Sequence, residues 1–141
     1  MTNMYKIPKE RQSQDLRDLL LGVSDGSSKP YNLRERTFIF ARRILDITAQ
    51  LPRLTECDVI RTQLVKSGTS IGANVEEADG ASTKRDFRNK ISIARKEAKE
   101  TYYWLRLISG KFLPADTISG DIQEVHELTR IMSTILDRTK R

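Results

Sequence analysis

Histidine and cysteine are nearly missing from this sequence, with His126 and Cys57 single instances of each. A lone cysteine excludes an intramolecular disulfide and suits a reducing cytoplasm. As a nucleophile Cys57 would need a setting that lowers its pKa, and no neighbour in sequence supplies one. One imidazole cannot complete the paired Glu-x-x-His of a helical di-iron site, and Gln123 stands where that Glu would be. It serves a Cys–His pair only if Cys57 faces it. No apolar run approaches the roughly 20 residues needed to span a bilayer. The first residues, MTNMYKIPKERQSQ, are polar and lack the apolar centre of a secretory signal. The expected address is therefore cytoplasmic. Period-two alternation is also missing, so strands are not expected.

What is abundant is charge. Charged residues make up 31% of the 141, with a formal net charge of +6. A basic balance suits a polyanion partner, because released counterions drive such proteins onto nucleic acid. The length fits one domain with a sizeable core.

Residues 1–32 read as an extension. Leu16, Leu19, Leu20 and Leu21 could form a small helix, and GVSDGSSKP, Gly22 to Pro30, reads as a linker. A bundle over 33–141 follows. In its first helix Thr37, Ala41, Ile44, Thr48 and Leu51 share a stripe with Phe40 beside it, Asn32 is placed to cap, and Pro52 to stop. The second begins after Thr55, lines Ile60, Leu64, Gly68, Ile71, Val75 and Ala78 along one face, and can end at Gly80. The third, about 82 to 109, is capped by Ser82 or Thr83, the latter in a capping box with Asp86. Its seam, Phe87, Ile91, Ala94, Ala98, Thr101, Leu105 and Ile108, repeats by fours and threes. Gly110 and Pro114 break the chain. The fourth helix, about 119 to 139, turns Ile122, Val125, Leu128 or Thr129, Met132 and Ile135 inward. Short loops between long helices predict an all-α, antiparallel up-down-up-down four-helix bundle, with a mostly irregular N-terminal extension.

Within the second helix, SGTSIGANVEEA has small residues but no lysine at phosphate-loop spacing and no preceding strand. The apolar stripe runs through it unbroken, which makes it helix. Beside that stripe lies a second one, Gln63, Ser67, Ser70, Asn74 and Glu77. Ser67 or Ser70 can bond a carbonyl one turn back, whereas Asn74 and Glu77 need partners from elsewhere. Glu97, Glu100 and Trp104 form a comparable stripe on the third helix. These residues predict a polar packing contact, inside the bundle or between subunits. The sharper reading, Glu77, Glu97 and Glu100 as catalytic or metal-binding carboxylates, fails for want of histidines. No catalytic residue, metal or cofactor is expected.

The third helix carries another pattern. Lys84, Arg88, Arg95, Lys99, Tyr102 and Arg106 follow helical spacing, and Lys84 to Lys99 holds seven basic residues against two acidic ones. The final helix is acidic, with Asp121, Glu124, Glu127 and Asp137 against Arg130. Three readings stand: a solvated face, a polyanion track with Tyr102 or Tyr103 available for stacking, or basic and acidic helices facing each other between subunits. Arg85, Arg88, Arg95, Lys96 and Lys99 are the candidate phosphate contacts. Ser67, Ser70, Asn74, Glu77, Glu97 and Trp104 are the candidate assembly residues.

Two motifs now stand out: S-x-x-S-I-x-x-N-x-x-E-A from Ser67 to Ala78, and F-x-x-K-x-x-x-A-x-x-E from Phe87 to Glu97. With the LP that closes the first helix, they resemble a family of bacterial four-helix-bundle proteins over roughly Phe38 to Asp137. That family includes proteins encoded in intervening sequences of large-subunit ribosomal RNA genes, and is related to the accessory variability protein of diversity-generating retroelements. The resemblance implies a basic homopentameric ring with no enzymatic activity. Its retroelement members bind a reverse transcriptase and nucleic acid, and its ribosomal-gene members have no settled role. The basic surface makes RNA or DNA the expected partner here, beside a second copy of the chain. The alternative is a protein–protein interaction scaffold with no nucleic-acid role.

Overall fold

A computed structural model describes residues 9–22 and 32–140, with side chains from Gln14 onward. Among the described residues five helices follow one another: α1 Lys9–Leu21, α2 Leu33–Ala49, α3 Thr55–Asp79, α4 Lys84–Ile108 and α5 Ala115–Arg138. Among the described residues the only extended pairing is an isolated bridge between Ser109 and Leu113.

The expected caps form. Asn32 sits in the left-handed region at φ 33°, which asparagine tolerates, and its side chain accepts the Glu35 amide at 3.2 Å. Thr83 Oγ1 accepts the Asp86 amide at 3.1 Å. Gly80 ends α3 without left-handed geometry, at φ −88°. The turn from α4 to α5 does need glycine: Gly110 has φ +74°, and its amide donates to the Leu113 carbonyl at 2.8 Å. α5 begins four residues earlier than its apolar spacing predicts. Pro114 stands at its N-cap, and Ile118, fully buried, extends the stripe across exposed Gly120.

α2 to α5 form the bundle, each packed on the next, with α5 returning to α2, and the α3–α4 contact is the most extensive. The apolar stripes predicted for α3 and α4 are buried throughout. Along α2 and just past it, Thr37, Ile44, Thr48 and Leu51 of the predicted stripe are buried with Phe40 beside them, Leu33 and Ile47 widen that face, and Ala41 is half-buried. Small residues of α3 split between two neighbours. Gly68 lies against Ile44 of α2 so closely that a Cβ would stand 2.7 Å from the Ile44 Cγ1 atom, and Gly72 faces the Thr37 carbonyl. Ser67 turns the other way, toward α4, where Thr101 Oγ1 lies 2.9 Å from its hydroxyl.

α1 is the small helix expected in the extension. Leu20 is buried in the core, and Leu16 and Leu19 pack against it. The linker reading of Gly22 to Pro30 falls, beyond Gly22, outside the described residues.

Candidate nucleic-acid interface

The basic residues of α4 meet the last two turns of α5. Thr83, Arg85, Asp86, Arg88, Asn89, Ser92 and Arg95 line one side of a groove of about 750 Å³; Leu136, Asp137 and Lys140 line the other, so two carboxylates stand among its cations. A second, smaller depression of about 220 Å³ holds Ser92, Ile93, Arg95, Lys96 and Lys99. Arg95 belongs to both. The five candidate phosphate contacts therefore occupy two adjoining depressions.

They are not equally free. Arg88 Nη1 donates to the Leu136 carbonyl at 2.6 Å and to Thr139 Oγ1 at 2.8 Å. It satisfies one of the carbonyls that the end of α5 leaves without a helical partner, beside the negative end of the helix dipole. This is a structural role that spacing alone did not reveal. Arg95 reaches Ser133 Oγ at 3.3 Å, a weak and exchangeable contact. Among the described residues, Arg85, Arg95 and Lys99 have no carboxylate within ion-pair distance.

The acidic residues of α5 point elsewhere. Asp121, only 11% exposed, binds Arg43 in a two-pronged contact at 2.9 and 3.1 Å. Glu124 takes Arg36 at 2.6 Å, and Glu127 takes the same guanidinium at 3.3 Å. Forked pairs of this kind fix orientation as well as charge. Three of the four acids that made α5 a candidate partner for a neighbour's basic helix are thus turned to α2 of their own subunit, and only Asp137 lies in the groove. Opposite charges spaced by seven on α2 (Arg36, Arg43) and by three on α5 carried that signal in the sequence.

Tyr102 lies on the same flank as Arg95 and Lys99. Its ring is half-buried, 5.7 Å centroid to centroid from the exposed His126, and the Arg106 guanidinium sits 5.3 Å above it. Tyr103, 56% exposed, contacts Trp104 edge-on instead.

The six assembly residues do not gather into one site. Ser67 is buried in the α3–α4 contact. Ser70 donates to the Lys66 carbonyl at 2.6 Å. Asn74, expected to need a distant partner, donates to the Ser70 carbonyl of its own helix at 2.8 Å. Being only half-buried at the helix surface, it is satisfied locally. Glu77 is exposed and pairs with Lys90 of α4 at 2.8 Å. Trp104 Nε1 donates to Glu100 at 3.3 Å. Cys57 is fully buried, and burial pushes its thiol up, away from reactivity.

Burial, and then Glu100, hold the Glu97 carboxyl above the usual carboxylate range, while Lys66 and Lys96 pull it partly back. An acid whose pKa is higher folded than unfolded contributes stability at acidic pH and loses it as pH rises through the folded value. Glu97→Gln should therefore narrow the difference in melting temperature between mildly acidic and neutral buffer. An unchanged difference would mean that Glu97 titrates as it does in water.

Among the described residues, no helix is long and apolar enough to cross a membrane. No curated protein matches the chain. A solved structure does: a protein of unknown function from the S23 ribosomal protein family of Bacteroides thetaiotaomicron VPI-5482, 35% identical, TM-score 0.68, with 73% of this chain and 96% of that one covered. Residues 30–134 match the family described as 23S rRNA-intervening sequence proteins, and the chain belongs to that family.

Proposed function

We propose that the protein is a cytoplasmic, non-enzymatic, oligomeric helical protein that binds RNA or DNA through the face shared by α4 and α5. The observation that carries this reading is the sorting of charge. Six basic side chains converge on a groove and its extension, against two carboxylates, Asp86 and Asp137. Three nearby acids are meanwhile consumed by Arg36 and Arg43 on another face. A merely solvated surface has no need of that separation. Electrostatic binding of this kind weakens steeply with salt. A labelled RNA should bind at low ionic strength and be released as salt rises, followed by fluorescence anisotropy. Absence of any shift at low salt, with the protein folded, would leave the protein–protein scaffold in its place.

A different observation favours self-association. Phe38, Ile39 and Leu45 of α2 are about half exposed, at 57%, 52% and 49%, and Tyr103 and Leu107 of α4 are similarly uncovered. Phe38 lines a small pocket with Ala41, Thr69, Gly72 and Ala73, with Arg34 and Glu76 also lining it. Two unlike apolar patches suit a head-to-tail contact, which closes into a ring when the rotation allows. A homopentamer is the ring size the family resemblance implies. Sedimentation should give a mass several times 16.2 kDa for the natural chain. Phe38→Asp with Leu45→Asp should reduce it to a single chain without loss of helix, since both side chains face outward. A natural chain that sediments as a monomer would remove assembly from this account.

A further inference from the structure

We infer that the α4–α5 face holds a single unpaired polynucleotide strand, with one base stacked at Tyr102 and phosphates in the groove of Arg85, Arg95 and Lys140. The inference rests on the polynucleotide reading above and adds the strandedness of the ligand and the residue that senses it.

The geometry is that of a track with two different ends. Arg88 and Tyr102 are fourteen positions apart on one helix, which places the groove and the aromatic ring on the order of 20 Å apart. Arg95 and Lys99 lie between them. That span matches the short end of compact single-strand sites, about four nucleotides or more.

The groove end offers donors and positive charge. Arg85, Arg95 and Lys140 line it with Asn89 and Ser92, outnumbering the carboxylates of Asp86 and Asp137, and Arg88 holds the end of α5 beside it. The other end is different in kind. Tyr102 is half-buried, so its ring is held by packing, and His126 stands against it with the two planes tilted by 40°. Such a pair is a surface on which a nucleobase can lie, and stacking of this sort is tolerant of sequence.

Arg106 presently covers the Tyr102 ring. Its side chain is exposed, and at an exposed site a cation–π contact is weaker than a stacked base. An arriving base therefore displaces the guanidinium, which is freed for a neighbouring phosphate. The interior of a duplex cannot use this end, because its base faces are already stacked on one another and only phosphates, sugars and base edges reach the surface. The structure thus predicts a preference for single strands that charge alone would not give.

Fluorescence anisotropy at low salt tests it with three probes: labelled oligouridylate, oligodeoxyuridylate of equal length, and a blunt-ended duplex. Both single strands should bind more tightly than the duplex. Tyr102→Ala should weaken single-strand binding by about tenfold, Tyr102→Phe should restore it, and duplex binding should not respond to either. His126→Ala, at an exposed position, gives a second variant that does not threaten the fold and should weaken single strands in the same direction. A ratio between the two single strands far from unity would assign the preference to the sugar and overturn a stacking origin. Salt-sensitive binding that prefers duplex, or that ignores both Tyr102→Ala and His126→Ala, would overturn the inference while leaving the polynucleotide reading in place. Failure of all three probes to bind the natural chain would remove that reading itself.

Discussion

Gly68→Val should lower the stability of the bundle by about 3 kcal/mol, the upper part of the usual range for overpacking. The reason is local and geometric. A Cβ at this position would stand 2.7 and 2.9 Å from the two γ-carbons of Ile44 and 3.2 Å from its Cβ. These atoms lie near the root of a β-branched side chain that is fully buried, so they cannot swing aside. Helix propensity argues the other way, since replacing an interior glycine with alanine is worth about 1 kcal/mol. The sign of Gly68→Ala therefore decides which effect wins. The contact geometry predicts a net loss for alanine and a larger one for valine. Ile44→Ala alone should cost about 2–5 kcal/mol by leaving a cavity. Combined with Gly68→Val it should cost clearly less than the two single losses together, because the new methyl groups occupy the space vacated. Strict additivity in chemical denaturation would mean that α2 and α3 do not touch at this point.

The second large effect concerns binding. Neutralising Arg85, Arg95 and Lys99 together, each to Gln, should reduce single-strand affinity on the order of a hundredfold at low salt. It should also lower the slope of log affinity against log salt by about two, at roughly 0.7 per lost phosphate contact. Thermal stability should be nearly unchanged, because none of the three makes an ion pair among the described residues. Arg88→Gln is the contrast. Its bonds to Leu136 and Thr139 hold the end of α5, so the melt should fall along with any loss of binding. A triple variant that binds like the natural chain would place the nucleic acid on another surface. One that loses its assembly instead would place a subunit contact there.

Much of this arrangement was legible in the residues. The seven-member seam of α4 and the stripe of α3 are buried as their spacing predicts, because long periodic segments leave little freedom in which face turns inward. Asn32 and Thr83 announced their helices by side-chain chemistry that few other residues share. α5 was harder. Its stripe is interrupted by Gly120 and contains a buried aspartate, Asp121, whose burial is tolerable only because Arg43 comes from another helix. The opposite charges spaced along α2 and α5 hint at such a pairing, but no pattern local to α5 fixes a partner 78 positions away. The same limit applies to Arg88 and Arg61. Both look like ordinary surface charges in sequence, yet each caps a helix end in space: Arg61 donates to the Thr48 and Leu51 carbonyls at 3.2 and 3.1 Å. Charge clustering on α4 was visible from spacing. What it faced depended on which way α5 presented its acids.

The most direct test is a salt titration of the natural chain with a labelled single strand. The account predicts tight binding at low ionic strength and a steep linear fall of log affinity with log salt, shallower by about two in the Arg85, Arg95 and Lys99 variant. Affinity that stays flat as salt rises, or a slope that the three substitutions leave untouched, would contradict it.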